Sequence, residues 1–434
     1  MSVFAVMFRP PQPVPEDCQQ NFRHLYGDVL WFGVLNGSVI AFISIFAARL
    51  GASIHTLGLL SAAPAIVNLI LALPAGQWLV KTPGAPVFWS AVATRIFYAI
   101  LIPLPWLLNF NAQVEAVIII TFIMNVPGTA LAIGFNALFG DVVPNEWRGY
   151  VVGVRNSILA VSTVITTLVC GEILIRVPFP AGYQVVFALG FLGAALSTYH
   201  LWFLRARRYL PPLADQAEML LDDPVENETQ RKSGLANFVS QASQLADRFH
   251  LRFDVMKGQF GTIIGLLFFF HLAQYLAIPL FSIYMVDNIH LTDSMISMGT
   301  AMFNVSLFLG STQLARLTYR IGNKKLIGWG MVLISTFPAL MALSRGVGLV
   351  VLANFISGIA WAMIGGALFN YLLELAPQHD RPAHMAWYNL ALNAAILLGS
   401  LCGPLVAGWI SIVTAMFVFA ILRLMAGISL LRWG

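Results

Sequence analysis

The chain has 434 residues, of which 59% are hydrophobic and only 10% are charged. Soluble proteins carry roughly 25% charged residues, so this composition excludes a water-soluble fold and predicts an all-α protein embedded in the lipid bilayer of the cell membrane. The net charge of +5 does not indicate a nucleic-acid partner, because lysine and arginine in a membrane protein mark the loops on the cytoplasmic side.

Twelve stretches can cross the membrane, since a spanning helix needs roughly 20 apolar residues. They lie at 22–48, 57–80, 87–108, 113–138, 150–175, 183–204, 258–286, 294–315, 325–344, 347–373, 384–409 and 411–431. The sequence therefore predicts twelve transmembrane helices in two pseudo-symmetric six-helix halves, residues 22–204 and 258–434.

Residues 1–21 and 205–257 are the polar segments outside these halves. The first carries prolines and acidic residues between 10 and 17, unlike a signal peptide, and we expect a cytoplasmic tail. In the second, apolar residues recur at three- and four-residue steps from Val239 to Met256, which predicts an amphipathic helix on the inner leaflet or under the bundle. We interpret residues 205–257 as a cytoplasmic linker between the halves, with a regulatory domain as the alternative.

The distribution of basic residues predicts the orientation. With both chain ends inside, the inner loops and tails carry eighteen lysines and arginines, whereas the outer loops carry three, Arg49, Arg176 and Arg345. This bias follows the positive-inside rule, so both termini and the linker are expected in the cytoplasm.

Short segments recur about half a chain apart. Asp141-Val-Val-Pro-Asn-Glu-Trp-Arg148 returns as Glu374-Leu-Ala-Pro-Gln-His-Asp-Arg381, and this offset of 374 − 141 = 233 also carries Asn156 onto Asn389. Residues 76–81 return as residues 315–320, at an offset of 315 − 76 = 239. Such repeats among apolar runs indicate a duplicated membrane bundle with one site between its halves.

These segments resemble the loop motifs of the major facilitator superfamily, and the resemblance covers essentially the whole chain. The family's Gly-x-x-x-Asp-Arg-x-Gly-Arg-Lys loop corresponds to residues 315–324, where Arg320, Gly322 and Lys324 match, but neither copy here keeps the Asp. The resemblance implies a secondary transporter whose solute site is lined by spans 1, 4, 7 and 10, with spans 2, 5, 8 and 11 beside them. Met124 stands where proton-driven exporters of the family carry an arginine, which argues against that subclass.

The repeated loops contain candidates for a cytoplasmic gate. Asp141 and Glu374 end spans 4 and 10, and Arg148 and Arg381 begin spans 5 and 11. An acid–base bridge across each proline turn can hold the halves closed and release when they rock apart. Solvated loop charges are the alternative. The further gate candidates are Arg320, Gly322 and Lys324.

Charged residues within the spans need a partner or a function, because a charge at the bilayer centre costs roughly 2.5–3.5 kcal/mol. Asp28 is predicted to pair with Arg95 or Arg155, as a structural pair or as a site for an anionic group. Glu172, near the outer end of span 5, is a proton-coupling site or a solvated carboxylate. His271 can carry a proton or serve as a hydrogen-bonding cavity residue. Asp28, Glu172 and His271 are therefore the coupling candidates.

Polar side chains on the spans outline a cavity. Besides Arg95 and Arg155, the substrate-cavity candidates are Asn36, Asn125, Asn156, His271, Gln274, Tyr275, Asn304, Asn354, Trp361, Asn389 and Asn393. Because unpaired amides are costly in hydrocarbon, each can instead form a helix–helix hydrogen bond. As a set they predict a water-accessible crevice for a small organic solute.

The sequence leaves three functional hypotheses. The first is a monomeric secondary transporter that works by alternating access, coupled to protons or another ion, or acting as a uniporter. The second is a membrane enzyme, and the third is a transporter-like sensor or lipid-moving protein. The spans hold no nucleophile motif or paired carboxylates, the three cysteines are far apart, and no ATP-binding loop occurs. The sequence therefore disfavours an enzyme, and neither a metal nor a cofactor is expected.

Overall fold

The computed structural model describes residues 16–81, 86–204, 253–377 and 380–434, and over these ranges the chain forms a bundle of long helices. The amphipathic helix predicted within residues 205–257 lies outside the described residues, apart from a short helical turn at Phe253–Met256.

The first half contributes six spanning helices. α1 runs from Glu16–Leu35 through a π-helical turn, Asn36–Ile40, into Ala41–Arg49. The others are α2 (Ile54–Lys81), α3 (Pro86–Leu101), α4 (Phe110–Val142), α5 (Asn145–Arg176) and α6 (Ala181–Trp202), with one short helix, Leu104–Leu107, between α3 and α4.

The second half repeats this order. α7 runs from Gly258–Ile283 into a π-helical turn, Tyr284–Asn288, and α8 (Asp293–Thr312) is followed by a short helix, Leu314–Ile321. α9 combines Asn323–Ile334 with Thr336–Leu343. The last three helices are α10 (Val347–Leu375), α11 (Arg381–Ile410) and α12 (Ile412–Trp433).

Most predicted helix ends lie within five residues of the observed ones, and two differ more. α1 is already helical at Glu16, where the described residues begin, rather than from residue 22, and Cys18 and Phe22 are buried in the bundle. α3 ends at Leu101 rather than residue 108, because Pro103 and Pro105 cannot donate the backbone hydrogen bonds that would continue the helix. Ten of the described helices are long and apolar enough to span a bilayer by themselves, and the shorter α3 and the more polar α8 complete the predicted twelve.

The pairing of helices is the same in both halves. In the first half, α1 packs on α5 and α6, α4 packs on α2 and α3, and α3 packs on α6. In the second half, α7 packs on α11 and α12, α10 packs on α8 and α9, and α9 packs on α12. Each pair has its counterpart six helices later, as a duplicated six-helix unit requires. The halves meet mainly where α2 packs on α11 and α5 on α8.

The apolar cores differ between the two sides of the bundle. We call the side where α1 begins and α12 ends the terminal side, and the side where α1 ends the distal side. On the distal side one core contains side chains from both halves, including Phe42, Phe46, Leu280 and Met341. On the terminal side the described residues form two cores, one within each half. The halves are therefore joined at the distal side and separate toward the terminal side.

Candidate solute-binding crevice

An ion pair joins the two halves at the distal side. Arg49, at the end of α1, donates to Oδ1 of Asp293, at the start of α8, from Nε at 3.3 Å and from Nη2 at 3.2 Å. The same Nη2 donates to the backbone oxygen of Leu291 at 2.5 Å, and the hydroxyl of Tyr183 on α6 donates to Asp293 Oδ1 at 2.8 Å. Three helices from both halves therefore meet at one carboxylate.

Glycines let the helices of the two halves approach closely on the same side. A Cβ atom at Gly58 of α2 would lie 2.5 Å from the backbone oxygen of Ser400 and 2.8 Å from Cγ of Pro404, both on α11. A Cβ atom at Gly171 of α5 would overlap the side chain of Ser297 on α8. Since no larger residue fits at either contact without movement, the distal closure depends on these glycines.

A chain of amide hydrogen bonds crosses between the halves near mid-membrane. Thr129 Oγ1 of α4 donates to Asn68 Oδ1 of α2 at 2.7 Å, and Asn68 Nδ2 donates to Asn393 Oδ1 of α11 at 3.4 Å. Asn68 lies about 20 Å along α2 from its distal end, at 1.5 Å per residue. Toward the terminal side of this chain, the described apolar residues form a separate core in each half. A crevice between the halves therefore begins here and widens toward the terminal side.

Helical spacing shows which asparagines face this crevice. On α4, Asn125 and Asn136 lie three turns apart on the face from which Thr129 reaches α2, whereas the exposed Ile119 and Ile123 lie on a different face. Of the other candidates, Asn393 accepts a hydrogen bond from the other half, whereas Asn36 contacts α5 and Asn354 lies beside Gly299 of α8, each within its own half.

Two interhelix relations support this assignment at individual positions. Asn36 Nδ2 on α1 donates to Thr163 Oγ1 on α5 at 3.3 Å, and Asn156 lies two turns from Thr163 on the same face. Asn393 lies two turns from Ser400, which contacts Gly58 of the other half. Asn36 and Asn393 therefore lie at helix contacts, and a solute site shared by the whole asparagine set stays a prediction.

The aromatic and histidine candidates of α7 are more enclosed. His271 is 3% exposed, its ring centroid lies 6.3 Å from that of Tyr388 on α11, and neither ring nitrogen has a hydrogen-bond partner within the described ranges. Gln274 Oε1 also has no partner there, and Tyr275 packs against Gly399 of α11. These three residues lie where α7 packs inside the second half, beside the crevice.

The predicted alternative pairings of Asp28 are resolved in favour of Arg155. Arg155 Nη2 donates to Asp28 Oδ2 at 3.1 Å, and Ser197 Oγ donates to Oδ1 at 2.5 Å. Arg95 instead donates from Nη1 to Thr198 Oγ1 at 2.7 Å and to the backbone oxygen of Ala194. The Asp28 side chain is only 5% exposed, so this network is enclosed between α1, α5 and α6.

Two further charged residues differ in environment. Arg423 of α12 is 1% exposed and donates to the backbone oxygens of Ala273 and Gln274 on α7, with no carboxylate partner among the described residues. Glu172 pairs with Arg176 at 2.7 Å on the exposed distal end of α5. Glu172 is therefore in contact with the surroundings, whereas Arg423 is sealed inside the second half.

The loop residues predicted to form a gate make contacts within their own halves. Arg148 donates to the backbone oxygens of Gly140 at 2.8 Å and Val143 at 3.2 Å, and Arg381 donates to that of Leu373 at 3.5 Å. Neither arginine forms an ion pair with another described residue, so the acid–base bridge across each proline turn is absent in this conformation.

The acidic partner of the second loop is held differently. Glu374 accepts a 2.6 Å hydrogen bond from Asn323, at the start of α9. Gly322 links the short helix Leu314–Ile321 to α9 with φ of 79°, a conformation that favours glycine. Arg320 is exposed and Lys324 half-buried at this turn.

Sequence reasoning missed several residues that join the helices. Asn68 is the single amide in the apolar middle of α2. An isolated amide in such a stretch could have been recognised from the sequence as a candidate for an interhelical hydrogen bond. The roles of Asp293, Tyr183 and Arg49 were hidden because each lies near a predicted helix end, where a charge needs no explanation.

A duplicated twelve-helix bundle whose halves separate toward one side is an architecture found in secondary transporters. The chain matches the model of the Major Facilitator Superfamily over residues 30–253 and 263–434, and it belongs to that superfamily. It is therefore a multi-pass membrane protein.

Individual relatives are distant. The chain is 23% identical over 152 residues to the quinolone resistance protein NorA of Staphylococcus aureus, and 24% identical over 153 residues to multidrug resistance protein 2 of Bacillus subtilis. These segments cover 35% of this chain and 39% and 38% of the relatives, so the match spans about two fifths of their length.

Solved transporters share the fold over nearly the full chain. A D-xylose–proton symporter superposes with a TM-score of 0.67 at 17% identity, covering 95% of this chain and 97% of the symporter. The nucleoside transporter NupG gives 0.63 at 15% identity, covering 95% and 99%. An inward-open form of the xylose transporter XylE from E. coli gives 0.65 at 16% identity, covering 95% of each.

Proposed function

We propose that this protein moves a small organic solute across the cell membrane by alternating access of its two halves, with both chain ends in the cytoplasm. One observation carries the proposal. The distal side has a shared core and an interhalf ion pair, whereas the described terminal side has two separate cores. A rocking motion that opens one side and closes the other needs such an asymmetry.

The orientation follows from charge. The loops and tails predicted to be cytoplasmic carry eighteen lysines and arginines, whereas the distal loops carry three, Arg49, Arg176 and Arg345. The crevice therefore opens toward the cytoplasm. The likeness to an inward-open xylose transporter agrees with this assignment.

Within the crevice, the asparagine set binds the solute. Coupling to protons is assigned to Asp28, Glu172 or His271, and a monomer is the functional unit.

Flux through the purified full-length chain in liposomes tests the proposal. A thermal-shift screen of small metabolites first supplies solutes, and uptake of each hit is then followed with and without a pH gradient. We expect saturable flux that unlabelled solute inhibits. A pH gradient that drives accumulation supports proton coupling, and equilibration alone supports a uniporter. Ligand binding or scrambling of fluorescent lipid without solute flux would overturn the transport proposal.

A further inference from the structure

The crevice asparagines share one hydrogen-bonding arrangement. In five of them Nδ2 donates to the backbone oxygen four residues earlier on the same helix, at 2.7 to 3.0 Å. They are Asn125 on α4, Asn304 on α8, Asn354 on α10, and Asn389 and Asn393 on α11. Because that bond fixes the plane of each amide, the carboxamide oxygen is held away from its own helix.

Most of these oxygens are free to accept a hydrogen bond. Asn393 Oδ1 receives the bond from Asn68. No donor reaches Oδ1 of Asn125, Asn304, Asn354 or Asn389 from any residue that the structure describes. A carbonyl oxygen has two acceptor positions, so α4, α8, α10 and α11 each carry an asparagine oxygen that is fixed in direction and has no described donor.

The charged side chains in the middle of the described helices already have hydrogen-bond partners within the protein. Asp28 is bonded to Arg155 and Ser197, Arg95 to Thr198, and Arg423 to backbone oxygens of α7. Asp28, Arg95 and Arg423 are each less than a tenth exposed. No charged group in the middle of the described helices is therefore left to balance a charged solute, and burying an unpaired charge is costly.

From this arrangement we propose that the crevice binds an uncharged solute rich in hydroxyl or amide N–H groups. Each such group supplies the donor that the fixed asparagine oxygens lack, and the second N–H of each amide can return a bond to a hydroxyl. Trp361, one turn from Gly365 on the same face of α10, gives a flat apolar surface for a ring. The proposal rests on the transport function above and specifies its substrate class.

A solute panel divided by charge tests this proposal. Solutes of three classes, matched for size, are added to the full-length protein in a thermal-shift assay. The uncharged class contains hexoses, nucleosides and primary amides. The cationic class contains primary and quaternary amines, and the anionic class contains carboxylates and sugar phosphates. Every hit is then tested for uptake into liposomes. We expect the transported hits to be uncharged, with apparent affinities at least about ten-fold above those of charged analogues, because no counter-charge is present.

A nearly isosteric charge variant sharpens the test. Asn304→Asp keeps the acceptor oxygen and adds a negative charge, and it should reduce affinity for the uncharged hits and admit cations. Gln313→Glu adds the same charge at the exposed end of α8 and should change neither.

Transported hits that are mainly cations or anions in the wild type would overturn the inference while leaving the transport function intact. Equal effects of the two charge variants would also overturn it, because position in the crevice would then not matter. Absence of flux for every class would instead defeat the transport function itself.

Discussion

The distal and terminal sides of this bundle are held together in different ways. On the distal side, contacts run between the halves: one apolar core, the Arg49–Asp293 pair and close glycine contacts. On the described terminal side, the Asp28–Arg155 pair and the Asn323–Glu374 hydrogen bond each lie within one half. Contacts within a half keep it rigid, whereas contacts between halves select which side is open.

This difference separates stability from conformational preference. Removing a contact within one half costs the same free energy in every conformation of the transporter, so it lowers the stability of the fold. Removing a contact between the halves affects only the distal-closed state, so it shifts the population toward the other state. The predictions below use this distinction.

The largest expected effect follows from Arg155→Leu. This change leaves Asp28 buried with Ser197 as its remaining described partner, and breaking a buried pair on one side costs about 3–5 kcal/mol. Thermal denaturation in detergent should show a marked loss of folded protein. The double variant Asp28→Asn with Arg155→Leu removes both charges and should recover most of the stability. If Arg155→Leu alone is as stable as the wild type, the Asp28–Arg155 pair does not stabilise the first half.

A steric change at the interhalf contact comes next. Gly58→Val places atoms against the backbone oxygen of Ser400 and the ring of Pro404, and overpacking of this kind costs about 1–3 kcal/mol. Because the cost falls on the distal-closed state, that state should lose population by about ten-fold. Distances between spin labels at Arg176 and Asp287, in a background without native cysteines, measure the shift.

The matched control is Gly153→Val on α5, where an added Cβ meets no atom within 4 Å. It should leave the label distances unchanged. If Gly58→Val also leaves them unchanged, the α2–α11 contact does not set the conformation.

A smaller shift is expected from Asp293→Asn. The pair with Arg49 is partly exposed, with side-chain exposures of 14% and 25%, and such pairs contribute roughly 0–1 kcal/mol. The distal-closed population should fall by up to about five-fold in the same distance measurement. Asn323→Ala, which removes the hydrogen bond to Glu374 within the second half, serves as the control and should leave the label distances unchanged.

Exchanging the charges tests the interaction itself. Arg49→Asp combined with Asp293→Arg should restore part of the closed population that Arg49→Asp alone removes. Failure of the exchange to restore it would show that attraction between these two charges is not what joins the helices.

The smallest effect is expected at the amide chain near mid-membrane. Asn393→Ala removes the 3.4 Å bond from Asn68, and interhelical hydrogen bonds in membranes average about 0.6 kcal/mol. The closed population should change by about three-fold or less, while the affinity for a transported solute falls more strongly. A double-mutant cycle with Asn68→Ala separates these two contributions. An unaltered solute affinity would remove Asn393 from the binding site.

The sequence predicted most of the fold because a bilayer imposes strong local requirements. Twelve apolar stretches of sufficient length and a repeat of loop segments led directly to two six-helix halves. The early end of α3 could have been predicted from Pro103 and Pro105. The early start of α1 could not, because residues 16–21 are polar and are held by packing at Cys18 and Phe22.

The sequence showed the asparagines as amides within apolar helices. It did not show which hydrogen bonds their side chains form. A single sequence left Asp28 with two possible arginine partners, and only helix packing placed Arg155 against it and Arg95 against α6. The loop acids and arginines looked like a bridge because they lie seven residues apart. In the folded chain, the arginines are nearer to backbone oxygens at the helix ends.

What the sequence determined by itself is the membrane class, the number of helices and the duplication, since each depends on residues that are neighbours along the chain. The tertiary structure decided which side is closed and which amide oxygens remain free. Both depend on contacts such as Arg49 with Asp293, which are 244 positions apart. Pairings between residues so far apart in the sequence depend on how the helices pack. Each charged or polar group has several chemically equivalent partners in the chain, and only the packed helices bring one of them within reach.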